Sequence, residues 1–160
     1  MIERDIAMLK KILVPIDGSD LSNEAVSYAS FFARRVGAEV LFCIAEPESA
    51  PWMNFGLGAI FDPQALKAVH DSAKLEAENI LKQALESVQS AGVKASTRVV
   101  FNDHPYEAII DMAAQEGCDL IIMASHGRKG VSGLLLGSET QKVLTHSAIP
   151  VLVYRNAEAA

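Results

Sequence analysis

Residues Asp119–Thr140 read DLIIMASHGRKGVSGLLLGSET, and the order of parts in this stretch decides the fold. Asp119 to Ala124 is a short apolar run, as a strand covered on both faces of a parallel sheet requires. The run breaks at Ser125-His126-Gly127, nine residues follow, and the chain reaches Gly137-Ser138. Ser138 with Gln141 three residues on fits a capping box, which predicts a helix opened by Ser138. A helix start facing a glycine loop at a strand end suits an anion. Its first N–H groups are unpaired, the helix dipole is positive there, and glycine lets backbone approach a ligand closely. A side chain at Gly127 or Gly137 would then block that approach or forbid a positive φ. The same pattern without a ligand is a glycine-punctuated strand-to-helix connection. It does not match a Walker loop, because no lysine follows Gly137.

Working outward, Lys11 to Ile16 (KILVPI) is a second buried strand, ending at Asp17-Gly18-Ser19. Ser19 or Asp20 caps the next helix, whose apolar positions Leu21, Ala25, Ala29, Phe32, Ala33 and Val36 recur until Gly37 stops it. Val40 to Ala45 is a strand. From about Gln64 to Ala91 runs a long amphipathic helix with Leu66, Val69, Ala73, Ala77, Ile80, Leu81, Ala84, Leu85 and Val88 as its apolar stripe. His70 on it reads as a surface side chain, with no second His or Cys at metal spacing. Lys94 to Phe101 is a strand with alternation, and Pro105 opens a helix beside Asp103 and His104, which read as its cap ahead of a role as ligand contacts. Ile109, Ile110 and Ala113 form its buried side and Gly117 its end. A last helix with Val143 and Leu144 precedes the strand Ile149 to Tyr154.

Strictly alternating strands and helices predict one α/β domain over residues 1–160, a doubly wound, Rossmann-like sheet of five parallel strands ordered 3-2-1-4-5. The first and fourth strands then adjoin, which brings Asp17 and the glycine loop to one crevice at the carboxyl ends of the strands. The termini, about 1–9 and 156–160, read as flexible. Residues 46–63 form a long loop with Trp52, Met53, Phe55, Leu57, Ile60 and Phe61, too apolar for a solvated linker. It reads as a flap on its own domain or a dimer partner, or as a mobile lid over a ligand.

Half of the 160 residues are apolar, enough for a full core, and the formal net charge of −6 argues against nucleic acid as a partner. Cys43 and Cys118 sit in or beside apolar runs and read as buried thiols rather than a disulfide. No apolar run approaches the roughly 20 residues of a membrane span, and the first residues lack a signal-peptide core, so the expected location is the cytoplasm, without membrane insertion. The apolar edge strand 149–155 invites pairing with its twin in a homodimer.

The stretch also resembles the nucleotide-binding motif of the universal stress protein family, in its ATP-binding subgroup: glycine, two residues, glycine, nine residues, glycine, then serine or threonine. The resemblance extends from KILVPIDGS to IPVLVYR. Gly127 and Gly137-Ser138 match, while Ala124 stands where the motif has its first glycine. The resemblance implies a homodimer that binds ATP or AMP, with Mg as an optional companion, and that serves a stress response or regulates a protein partner. It implies Pro15 and Asp17 at the adenine and ribose, Ala45 and Met123 lining the base, and Gly127, Gly137 and Ser138 at the phosphates, with Ala124 and His126 in the same loop. Glu139 would oppose a nearby phosphate, and Arg128 with Lys129 would offset it. Two other readings stand beside this one. His126, Asp17 and Ser138 could serve a slow ATP hydrolase, though only pieces of a phosphoryl-transfer set are present. Ala124 and Glu139 favour a signalling dimer of the same family that needs no nucleotide.

Overall fold

The structure, a computed structural model, describes residues 9–48, 63–127 and 136–156. The termini, the apolar stretch 51–61 and Arg128 with Lys129 lie outside the described residues. Five strands, β1 (Lys11–Pro15), β2 (Glu39–Glu46), β3 (Ala95–Phe101), β4 (Leu120–Ala124) and β5 (Val151–Tyr154), alternate with four helices. These are α1 (Asp20–Val36), α2 (Pro63–Gln89), α3 (Pro105–Gln115) and α4 (Ser138–His146).

The strands form one parallel sheet in the order β3-β2-β1-β4-β5, as the sequence predicts. Central β1 pairs with β2 through Ile12↔Val40 and with β4 through Ile12↔Leu120, so it has a neighbour on each side. Strand alternation then separates two cores. Ile12, Val14, Phe42, Ile44 and Ile122 face α1 and α2, meeting Val26, Ala29, Leu81 and Val88. Leu13, Leu41, Cys43, Ile121 and Met123 face α3 and α4, meeting Ile109, Ala113 and Val143. Ile12, Leu13 and Val14 are fully buried, and each such side chain contributes about 1.5–3 kcal/mol of burial free energy. Both cysteines are buried and free. Burial pushes the Cys118 thiol up to about 11 and the Cys43 thiol higher still.

Several local expectations need correction. The described part of the α2 stripe is unevenly covered: Ala77, Leu81, Ala84 and Val88 are buried, whereas Val69 is 41% exposed. Helix α3 has His104 at its N-cap, but not through the His104 side chain. The His104 side chain makes no cap bond, and the backbone N–H of Tyr106 donates to Glu139 Oε2 at 2.9 Å, from another helix. Ser138 is the first residue of α4 rather than its cap. The N-cap is Gly137, whose carbonyl accepts the Gln141 N–H at 2.9 Å, and no side chain caps the helix.

Candidate functional site

The carboxyl ends of β1 and β4 lie side by side, and the loops leaving them meet. Asp17 follows β1 and its Oδ1 accepts the Ser19 N–H at 3.0 Å and the Ser19 hydroxyl at 2.7 Å. Its own N–H donates to the buried Ser22 hydroxyl at 3.2 Å. The carboxylate lies against Gly127, where an added Cβ would run into Oδ2 and stand 3.3 Å from Cγ. Asp17 and the glycine loop are thus in contact, and the contact requires glycine at 127 for space.

Gly137 is constrained in a different way from the one its spacing suggested. Neither Gly127 nor Gly137 has a positive φ; Gly137 is at −60°, a value open to any residue. What crowds a side chain at 137 is the crossing of two chain segments. A Cβ there would stand 3.1 Å from His126 Cα and 3.3 Å from the Ser125 carbonyl, and Gly137 N–H donates to that carbonyl at 2.8 Å. Thr140, buried in the first turn of α4, donates its hydroxyl to the Ala124 carbonyl at 3.0 Å. Both bonds fix the start of α4 over the end of β4. The backbone N–H groups of Ser138, Glu139 and Thr140 precede the first intrahelical bond, at the positive end of the helix dipole.

The remaining predicted residues divide by strand face. Met123 and Ala45 pack in the core under α3 and α4, and Pro15, two residues after Leu13, alternates onto that face. Ala124 alternates onto the opposite face, with Leu120 and Ile122, so its methyl points away from Met123's side. His126 is half-buried, its Nδ1 3.2 Å from the Ser125 hydroxyl. Glu139 turns aside from the loop: Oε2 takes the Tyr106 N–H and Oε1 pairs with Lys142 Nζ at 2.9 Å. Arg128 lies outside the described residues.

Sequence reasoning missed Ser22, Tyr106 and Thr140, which brace the site. Thr140 carried a signal, a β-branched hydroxyl residue in a first helical turn beside Val143. Tyr106 carried none, since its role depends on α3 lying beside α4. Among the described residues no group of three or more His, Cys, Asp or Glu side chains is placed to hold a metal.

Similarity to known proteins fits this geometry. The family model described as the universal stress protein family matches residues 8–155. The chain belongs to the universal stress protein family. Universal stress protein YxiE of Bacillus subtilis is 32% identical over 149 residues, 92% of this chain and all of that one. Universal stress protein MJ0577 of Methanocaldococcus jannaschii is 32% identical over 160 aligned positions, covering 92% of this chain and 96% of that one. The solved structure of MJ0577 matches with a TM-score of 0.79 over 94% of this chain and 99% of that one. Two structures at lower identity share the fold. One is a universal stress protein in complex with cAMP, 23% identical with a TM-score of 0.65, covering 93% of this chain and 98% of that one. The other, from Archaeoglobus fulgidus in complex with dAMP, is 19% identical with a TM-score of 0.66, covering 92% of this chain and 99% of that one.

Proposed function

We propose that this universal stress protein binds an adenine nucleotide, ATP or AMP, at the carboxyl ends of β1 and β4 and acts as a regulatory homodimer in a stress response in the cytoplasm. The observation that carries the reading is the start of α4. Three backbone N–H groups at a helix N-terminus without a side-chain cap are held beside the Asp17–Gly127 contact, and this is the donor set a phosphate needs. Pro15, Ala45 and Met123, on the sheet face next to that loop, would line the base. Asp17 would accept ribose hydroxyls, and Gly127, Gly137 and Ser138 would frame the phosphate. The relatives in complex with cAMP and dAMP support an adenine nucleotide as the ligand class. The whole chain is read as one domain, with β5, one of the two outer strands of the sheet, as the edge that pairs with a second copy. Among the described residues no helix is long and apolar enough to cross a membrane.

Calorimetric titration with AMP and with ATP, with and without Mg, tests the site. At one hundred times its dissociation constant the nucleotide should stabilise the fold by ~2.7 kcal/mol in a denaturant melt. Absence of binding by both at millimolar concentration would refute it. A signalling dimer without nucleotide would then be the better reading, favoured by the two bonds that already engage Asp17 Oδ1. Steady turnover of excess ATP would favour the slow hydrolase. Light scattering that shows only monomer would remove the dimer.

A further inference from the structure

We infer, resting on the nucleotide reading above, that Glu139 makes this site discriminate by phosphate charge, favouring a nucleotide with one phosphate over a triphosphate. Glu139 is the second residue of α4, and its own N–H is one of the three first-turn donors. A phosphate at those donors and the Glu139 carboxylate are therefore within about one helical turn, 5.4 Å along the axis. The carboxylate is also held in place. Oε2 takes the Tyr106 N–H at 2.9 Å, which ties it to the start of α3, and Oε1 pairs with Lys142 at 2.9 Å. The side chain is 36% exposed, so water screens it only in part.

These contacts turn the carboxylate from the glycine loop toward the start of α3, yet hold its charge at the first turn of α4 instead of letting it swing into solvent. Lys142 offsets it incompletely, because its side chain is 48% exposed and its ammonium also lies 5.1 Å from the Tyr106 ring centre. The first phosphate has the N–H groups of α4 to compensate the repulsion. Each further phosphate adds charge near the carboxylate and finds no further free N–H on α4, since from Gln141 onward the helix bonds to itself. Glu139 is thus a specificity residue that acts through its charge rather than a ligand-binding residue.

The test is calorimetric titration of the full chain with AMP and with ATP, both without Mg, for wild type and Glu139→Gln. The Gln amide oxygen can still accept the Tyr106 N–H, so α3 keeps its cap while the charge is removed. ATP should tighten relative to AMP by about five- to ten-fold, as expected for two added charges roughly 10 Å from a partly screened one. Lys142→Gln should move the ratio the other way, because the carboxylate loses its counter-ion. A loss of folded protein lowers both nucleotides together and leaves their ratio alone. A ratio constant across the three proteins while AMP binds overturns this inference and leaves the nucleotide reading standing. No binding of either nucleotide to any of the proteins overturns both.

Discussion

Helices α1 and α4 both start at the carboxyl ends of adjoining strands, yet their first turns are completed in opposite ways. At α1 the work is local. Ser19 accepts the Ser22 N–H at 3.3 Å, Asp17 takes both the N–H and the hydroxyl of Ser19, and Ser22 takes the N–H of Asp17. At α4 no side chain caps the turn, and its position is set from far along the chain by Ser125, Ala124 and Tyr106. One helix end spends its polar groups on itself. The other is fixed by neighbours while its leading N–H groups stay free of a side-chain cap, and this separates a structural turn from a candidate binding turn on the same edge of the sheet.

The largest effect should come from breaking the α4 arrangement at its glycine. Gly137→Val places a branched side chain against His126 Cα and the Ser125 carbonyl, atoms of backbone that cannot move aside without shifting the end of β4. Overpacking of this kind costs roughly 1–3 kcal/mol. Urea melts should show that loss, and titration should show no nucleotide binding because the start of α4 is displaced. Binding retained at wild-type strength would mean that α4 does not hold the phosphate.

This contrast also explains what could be read from the chain. The alternation of apolar runs and amphipathic stretches, the first three of them ended by glycine, was enough for the strand order, because β4 and all of β1 after Lys11 are apolar and must lie inside the sheet. The α1 cap was legible because it is local: Ser19, one of the two caps the sequence offers, accepts the N–H three residues on. The α4 start was misread because Ser138-Glu139-Thr140-Gln141 satisfies a local capping rule, while the contacts that position the helix reach back to Ser125, Ala124 and Tyr106, at least a dozen residues away in the chain. Glu139 looked like a stray charge at a phosphate site. Its partner Tyr106 is 33 residues away in sequence, and only the packing of α3 beside α4 brings them together.

A matched pair of serine substitutions sharpens the comparison at smaller amplitude. Ser19→Ala removes a cap and one support of Asp17, and should cost about 1 kcal/mol in chemical denaturation. Ser138→Ala removes an exposed hydroxyl that caps nothing, so its cost should stay within about 0.5 kcal/mol. Its effect on nucleotide affinity should then reveal any contact of the hydroxyl with phosphate, separate from helix stability. Equal losses of stability at the two positions would contradict the difference between the two turns.

The smallest effect is expected at Ala124, where the chain departs from the glycine of the family motif. On β4, Ile121 and Met123 belong to the core under α3 and α4, whereas Leu120 and Ile122 belong to the core under α1 and α2. Alternation puts the Ala124 methyl with the second set, across the sheet from the residues proposed to line the base. What Ala124 offers on the side of α4 is its carbonyl, which accepts the Thr140 hydroxyl and is present whatever the side chain. Ala124→Gly should therefore leave the affinity for AMP and ATP unchanged in titration. Stability should fall by roughly 0.5–1 kcal/mol, because glycine gives up more backbone freedom on entering a strand. If the glycine instead tightened binding severalfold, the methyl would have to reach the ligand, and the assignment of the nucleotide to the face of Met123 would be wrong.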